Sequence, residues 1–487
     1  MLNINFIDEE TGAAGLNGCA FFVPGEICAA EFYRLDVMAF TPDNNSMERK
    51  TEVQRGTVLQ KRKKVMGMAG KRKRRRNGRV SIFLLTMLIT IAVGSVVLLV
   101  SWAFLGNRGM VLAAVTVEGE VFSLFGGNDA ETEAAAETEQ GKYADILNNP
   151  ELMAQQNIYT ITPAAEGEVS LVFAGDILFD DGYSIMAKMK SRGQGIEGSI
   201  DSGLLGVMRD ADIFMVNNEF TYTKRGAPTP GKAFTFRADP AHASLLHDMG
   251  ADLVSLANNH AYDYGEVSLT DTLDTLQSIG MPYAGAGRNL AEAVRPVYYI
   301  AGDLKIAFLS ATQIERVDNP DTKGATETSP GVFRCRDVDM LLQAVSEAKA
   351  NSDFVVVYIH WGTESTTELD WAQKEQAPRI AAAGADLIIG DHPHVLQGID
   401  YIGNTPVIYS LGNFLFNSKT QDTCLVRAIL DEESGSLKSF QFIPALQKDC
   451  RTTIHEGTEK ARVIGHMRSL SPKVQIDEEG YVAVPEN

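Results

Sequence analysis

Cysteine is scarce: the chain has five in 487 residues, only Cys335, Cys424 and Cys450 lie beyond residue 106, and none sits in a Cys-x-x-Cys pair. This excludes a disulfide framework, a thiolate metal site and a thiol redox motif. The three distal cysteines allow one pair and a free thiol, or three free thiols. Histidine is nearly as sparse, at eight, so a local concentration of it calls for a reason. Basic residues are thin except in one block: the formal net charge is −19, and residues 61–79 contribute +11 without a single acid, leaving −30 on the rest. So acidic a remainder does not recognise nucleic acid, or any other polyanion, through net charge. Such a ligand has to find a local basic patch.

Long apolar runs are also lacking, with one exception. The 26 residues 81–106 (SIFLLTMLITIAVGSVVLLVSWAFLG) carry no charge, and at about 1.5 Å per residue they exceed the roughly 30 Å of a bilayer core. KRKK at 61–64 and KRKRRR at 71–76 precede the run, so the N-terminus is expected inside and everything after Gly106 outside. The run is too long for a signal peptide and ends in Trp102, Ala103 and Phe104 rather than a small-residue cleavage site, which makes it an uncleaved anchor. A translation start at Met47 would leave block and anchor intact. The expected organisation is a cytoplasmic basic segment (1–80), a transmembrane helix (81–106), an acidic low-complexity linker (107–166, with GGNDAETEAAAETEQG at 126–141) and an outer domain (167–487).

From about Gly167 apolar runs of strand length alternate with helical segments, the pattern of an α/β domain. The runs are VSLVFAG (169–175), DIFMV (212–216), DLVSLA (252–257), KIAFLSA (305–311), DFVVVYI (353–359), DLIIG (386–390) and PVIYSLG (406–412). Helices are expected over 268–280 and 337–350, and antiparallel strands in CLVRAIL and SFQFIPALQ. GADLVSLANNH (250–260) and GADLIIGDHPH (384–394) echo each other, each a glycine turn into a strand that closes on a histidine.

Six of these runs end in polar clusters: Asp176; Asn217, Asn218 and Glu219; Asn258, Asn259 and His260; His360 and Glu364; Asp391, His392 and His394; and Asn413. Ligands bind outside the carboxyl ends of strands in open α/β sheets, so the clusters are expected to converge. Buried polar groups are costly unless they share partners, and a metal ion satisfies them together. Mixed carboxylate, imidazole and amide donors suit a divalent Mn, Fe or Zn. Pro393 stiffens the turn between His392 and His394.

The ordered motifs GD (175–176), NNEF (217–220), SLANNHAYDYG (255–265), HWGTE (360–364), GDHPHVLQG (390–398) and SLGNF (410–414) resemble the CapA family of poly-gamma-glutamate capsule synthesis proteins, itself similar to the calcineurin-type metallophosphoesterases. The resemblance covers roughly residues 167–450. It implies an α/β fold, a metallophosphoesterase-like two-sheet sandwich flanked by helices and preceded by one transmembrane helix. It also implies one or two divalent ions held by Asp176, Glu219, Asn259, His360, His392 and His394, with His260 assisting a leaving oxygen and Glu364 and Asn413 lining the pocket. Two positions depart from the phosphoesterase pattern: Leu178 stands where a histidine ligand is expected, and Glu219 where aspartate is usual.

The expected function is synthesis, export or anchoring of poly-gamma-glutamate or a similar anionic polymer, with membrane-embedded synthase components as partners. If the protein is an enzyme, water activated at the metal attacks a phosphoester or amide carbonyl. The alternatives are a non-catalytic assembly factor and a general metallophosphoesterase. Lys224, Arg225, Lys232 and Arg237, in the long loop after Glu219, form the local cluster expected to grip the polymer.

Overall fold

Strand follows helix so regularly after residue 157 because nearly every apolar run is both short and bounded by a polar turn. The structure, a computed structural model, describes residues 141–314 and 322–483, together with an antiparallel pair of short strands, Phe21–Val23 and Glu26–Cys28. The apolar run 81–106 lies outside the described residues; among those described, no helix is long and apolar enough to cross a membrane.

Among the described residues, fifteen strands build two large sheets. In chain order the first eight are β1 (Ile158–Ile161), β2 (Glu168–Ile177), β3 (Ile213–Asn218), β4 (Leu253–Ser255), β5 (Tyr283–Ala284), β6 (Val297–Ala301), β7 (Leu304–Thr312) and β8 (Phe354–His360). The rest are β9 (Leu387–Asp391), β10 (Ile399–Ile402), β11 (Thr405–Ile408), β12 (Asn413–Leu415), β13 (Gln421–Asp431), β14 (Leu437–Lys448) and β15 (Arg451–Ile454). The seven-stranded sheet runs β10-β11-β9-β8-β7-β6-β1, and the eight-stranded one β15-β14-β13-β2-β3-β4-β5 with β12 beside β2. In each the central strands are parallel: β7, β8, β9 and β11 in one, β2, β3, β4 and β5 in the other.

The alternation of side chains sorts the core into layers. Leu171 and Phe173 of β2 point between the sheets, where they join Met215, Phe308, Val356, Tyr358 and Ile389. Val172 and Ala174 face outward under the helices Ser184–Arg192, Ser202–Arg209 and Glu266–Ser278. On the other side, Leu309, Val357 and Ile388 meet the helices Asp339–Ala350 and Trp371–Ala382. The result is helix, sheet, sheet, helix. Strands buried on both faces are apolar at nearly every position, which is why they could be read from the sequence as continuous runs.

The fold begins earlier than the sequence suggested. Residues 141–166, expected to be linker, form the helices Ala144–Leu147 and Pro150–Gln156 and then β1, which pairs parallel with β6 at the sheet edge. Lys142 and Tyr143 both bond the Asp353 carboxylate. β1 has only four residues, too few to give a period that stands out from the acidic stretch before it. Cys335, Cys424 and Cys450 are free and buried, the second of the two arrangements the sequence allowed.

Candidate metal centre

Both sheets end their parallel strands on the same side, and the polar residues meet there. The eight-stranded sheet contributes Asp176 from β2, Asn217 from β3, Glu219 just beyond it, Asn258 to His260 after β4, and Asn413 on β12. The seven-stranded sheet contributes His360 from β8, Asp391 from β9, and His392 and His394. Register fixes the neighbours: Asp176 pairs with Asn217 and with Asn413, and His360 with Asp391. Glycine makes the approach possible at two points. A Cβ on Gly175 would lie 1.9 Å from the Gly412 carbonyl oxygen, and one on Gly390 2.3 Å from that of Tyr409.

The hydrogen bonds divide the cluster into organisers and a converging ring. Asn217 Nδ2 donates to Asp176 Oδ1 at 2.8 Å, and Asn258 Nδ2 donates to Asn217 Oδ1 at 3.0 Å. Asn258 Oδ1 accepts the His260 amide at 3.0 Å, a turn that sets the next two side chains. His394 Nδ1 lies 3.0 Å from Asp176 Oδ2 and 2.9 Å from Asn413 Oδ1. His360 is the hub: its Nδ1 is 2.8 Å from Asp391 Oδ1, while its Nε2 is 2.8 Å from Asn259 Oδ1, 3.0 Å from His392 Nδ1 and 3.5 Å from Glu219 Oε1.

That hub tests whether the residues suit a cation. With Nδ1 held by Asp391, Nε2 presents a lone pair, and so do the amide oxygen of Asn259 and the carboxylate of Glu219. Lone pairs that face one another repel. Moreover, among the described residues both Glu219 oxygens and Asp391 Oδ2 are buried without a hydrogen-bond partner, a burial that costs several kcal/mol per ionised group. A cation among these atoms removes both penalties, so the donors fit a divalent ion. Glu219, His360 and His392 can each bring a ligand atom within 4.8 Å of the others, as can Asp176, His360 and Asp391, and Asp176, Glu219 and His394.

Proton affinities follow from the same crowding. Burial, with Asp176 and Asp391 close by, pushes the Glu219 carboxyl well above the carboxylate range, and burial with Asp176 does the same to Asp391. Burial would raise Asp176 too, but the bond to His394 outweighs it and holds that group at about 2. Burial pushes His360 down to about 3, and burial with the neighbouring imidazoles lowers His392 well below its ordinary value. His394 is raised, since its bond to Asp176 overcomes burial.

His260 stands at the edge of this ring, 4.0 Å from Glu219 Oε1 through Nε2. Its Nδ1 lies 2.7 Å from Asp263 Oδ2, and a carboxylate can only accept, so Nδ1 carries the proton and Nε2 faces the centre. Asp263 also bonds Lys232, at 2.6 Å, and the Phe236 amide. Phe236 packs on the His260 ring at 4.3 Å between centroids, and Phe416 on His394 at 5.4 Å. Burial lowers His260, with Asp263 opposing.

The basic cluster expected to hold polymer does not form one open patch. Lys232 is turned inward: its side chain is 5% exposed and its partner Asp263 is 0% exposed. Lys224 pairs with Asp239, Arg225 with Asp271, and Arg237 lies over the Tyr264 ring at 4.5 Å. An acid-rich domain supplies each of these lysines with its own counter-ion and leaves little free positive charge in the loop. Asp263 was missing from the sequence-predicted clusters, while Asn217 and Asp391 stood in them without a ligand or catalytic role. Each was visible in a quoted motif, Asp263 three residues after His260 in SLANNHAYDYG. Leu178 is buried in the layer under the outer helices, so position 178 offers no donor.

The family model described as bacterial capsule synthesis protein PGA_cap matches residues 170–418. The PGA biosynthesis protein CapA of Bacillus subtilis (strain 168) is 32% identical over 267 residues, 53% of this chain and 67% of that protein. The capsule biosynthesis protein CapA of Bacillus anthracis is 35% identical over 201 residues, 39% of this chain and 47% of that one. Among solved structures, a novel phosphatase from Mycoplasma pneumoniae is 14% identical with a TM-score of 0.37, covering 58% of this chain and 95% of its own.

Proposed function

Because the chain belongs to the bacterial capsule synthesis protein family PGA_cap, we propose that it acts in the synthesis, export or anchoring of poly-gamma-glutamate or a similar anionic polymer, through a cation-holding centre. The names of the Bacillus relatives support the polymer. Residues 81–106, apolar behind a basic block, support a single membrane crossing with the domain outside, where such a polymer is handled and where membrane-embedded synthase components could be met.

The observation that carries the reading is Glu219, a carboxylate with both oxygens buried and unpartnered, facing three imidazoles and an amide oxygen. Asp176, Glu219, Asn259, His360, His392 and His394 hold the ion; Asp391 fixes the tautomer of His360, as carboxylates do behind histidine ligands. A divalent ion bound there supplies Lewis-acid polarisation of an ester or amide oxygen. Asp263 orients His260 so that Nε2 is the atom that exchanges a proton with a reacting oxygen. Phe236 and Phe416 shield that side from water, and Asn413 steadies His394.

In capsule-producing cells, Glu219→Gln and His392→Ala lower the amount of cell-associated polymer while the protein stays at its ordinary level in the membrane. Unchanged polymer in both variants overturns the proposal. Purified protein that holds the ion but cleaves neither poly-gamma-glutamate nor simple phosphodiesters assigns the centre to assembly rather than turnover.

A further inference from the structure

Phe236 and Arg237 are neighbours in the chain, yet only the first belongs to the centre. The Phe236 amide donates to Asp263 Oδ2 at 2.6 Å and the Arg237 amide to Asp180 Oδ2 at 2.7 Å, so carboxylates from two different loops clamp one extended step. Arg237 and Ala238 pair with Thr221 and Tyr222. In such a segment successive side chains diverge: Phe236 packs on His260, while Arg237 lies exposed over the Tyr264 ring. Beside Arg237 opens a cleft of about 610 Å³ lined by Asp180, Asp181, Tyr183, Lys224, Arg237 and Tyr264, a size common for small-ligand sites. One ring separates it from the centre: Tyr183 meets Phe236 at 5.0 Å between centroids, and Phe236 meets His260 at 4.3 Å.

The cleft carries charge of both signs, incompletely matched. Lys224 pairs with Asp239, and Lys190 reaches Asp181 at 2.5 Å. Arg237, alone of the four basic residues of its loop, makes no ion pair among the described residues. Asp180 spends its oxygens on the amides of Gly182 and Arg237, at 2.6 and 2.7 Å, and makes no ion pair among the described residues either. A guanidinium and a carboxylate, each without a charged partner and set between two phenol rings, suit a ligand that carries an ammonium and a carboxylate together better than they suit a plain polyanion.

We propose that this cleft binds the free amino end of a γ-linked glutamate chain, the one residue of such a chain whose α-carbon bears both an ammonium and a carboxylate. Arg237 takes the α-carboxylate, and Asp180 and Asp181 face the ammonium. The two methylene groups of that residue lie along Tyr183 and Phe236, and its γ-amide carbonyl is carried towards His260. This rests on the polymer reading given above and deepens it: the chain is met at its end, not along its length. The rim beside His392 and His394 favours the same approach, because exposed Glu364 stands there and turns an anionic chain away.

The test compares two ligands that differ only at the amino end. The full chain, purified in detergent, is titrated by calorimetry with a γ-linked glutamate pentamer whose amino end is free, and with the same pentamer acetylated there. The wild type binds the free pentamer on the order of tenfold more tightly, the worth of one charged hydrogen bond. Arg237→Gln weakens both pentamers, and Arg237→Lys recovers part of the loss. Asp181→Asn weakens the free pentamer alone and erases its advantage. Arg237 and Asp181 are exposed, so neither substitution empties the core. Arg288→Gln, at an exposed arginine paired with Asp274, changes neither affinity. A wild type that binds the two pentamers equally or binds neither, or an Arg237→Gln chain with wild-type affinities, overturns the end site. The expected preference and losses, together with polymer production in cells indifferent to Glu219→Gln and His392→Ala, would instead sink the capsule function and leave the cleft standing as a γ-glutamyl end site.

Discussion

Lys232 carries the sharpest lesson at the scale of single residues. Its sequence context, among Lys224, Arg225 and Arg237, is that of a solvated patch, yet it lies buried against Asp263. Removing it takes away the one lysine or arginine paired with buried Asp263 among the described residues and leaves that carboxylate the bonds from His260 and the Phe236 amide, so Lys232→Met is expected to destabilise the fold by about 3 kcal/mol, the low end for a broken buried pair. Arg225→Ala, whose side chain is 65% exposed, is expected to change stability far less, because an exposed ion pair is screened by solvent. Urea unfolding separates the two; equal losses would contradict the burial. His260→Ala is expected to retain bound metal and to lose any hydrolysis by roughly 10²- to 10⁴-fold. Metal lost together with activity would make His260 a ligand instead. Asp252 offers a pH test away from the centre: burial raises it to about 6, with the Phe214 amide opposing. A carboxyl raised in the folded state contributes stability that is fully present below about pH 4 and lost as pH rises through about 6. Asp252→Asn should therefore stabilise the protein at pH 7.5, on the order of 1–2 kcal/mol after allowance for its partial exposure, and hardly at all at pH 4. A gain of equal size at both values would refute the assignment.

At the scale of elements, legibility followed length and burial. Each of the seven apolar runs read from the sequence contains a strand, and the helices expected over 268–280 and 337–350 appear as Glu266–Ser278 and Asp339–Ala350. The echo between residues 250–260 and 384–394 places one member in each sheet, β4 and β9, each entered through a left-handed glycine, Gly250 or Gly384. The polar strand ends converge as the sequence implied, because parallel strands in both sheets finish on one side. What stayed hidden was local: the left-handed turn at His392 and His394, the burial of Lys232 and the four-residue strand β1. A strand so short at an edge draws its stability from one neighbour rather than from its own pattern. Limited proteolysis should accordingly leave a core whose N-terminus, by mass spectrometry, falls near residue 141. A stable core beginning near 167 would show β1 to be dispensable.

For the whole molecule, charge and topology belong together. The block at 61–79 concentrates +11 while the rest carries −30, a polarity suited to a chain held with its basic end against anionic inner-leaflet lipid. Protease added to intact cells is expected to release the domain; full protection under a demonstrably permeable wall would reverse the orientation. The edge position of β1 then acquires a mechanical meaning. If a polymer drags on the domain, tension runs along the chain from residue 140 and arrives first at Lys142 and Tyr143, which grip Asp353 between β7 and β8. Behind that grip, β1 is stitched to β6 from Ile158 to Ile161. The leading segment thus behaves as a cleat that must yield before load reaches the central strands bearing the ligands. Stretched from its N-terminus in an optical trap, the domain should give a short early extension, abolished by Asp353→Ala, ahead of the main rupture.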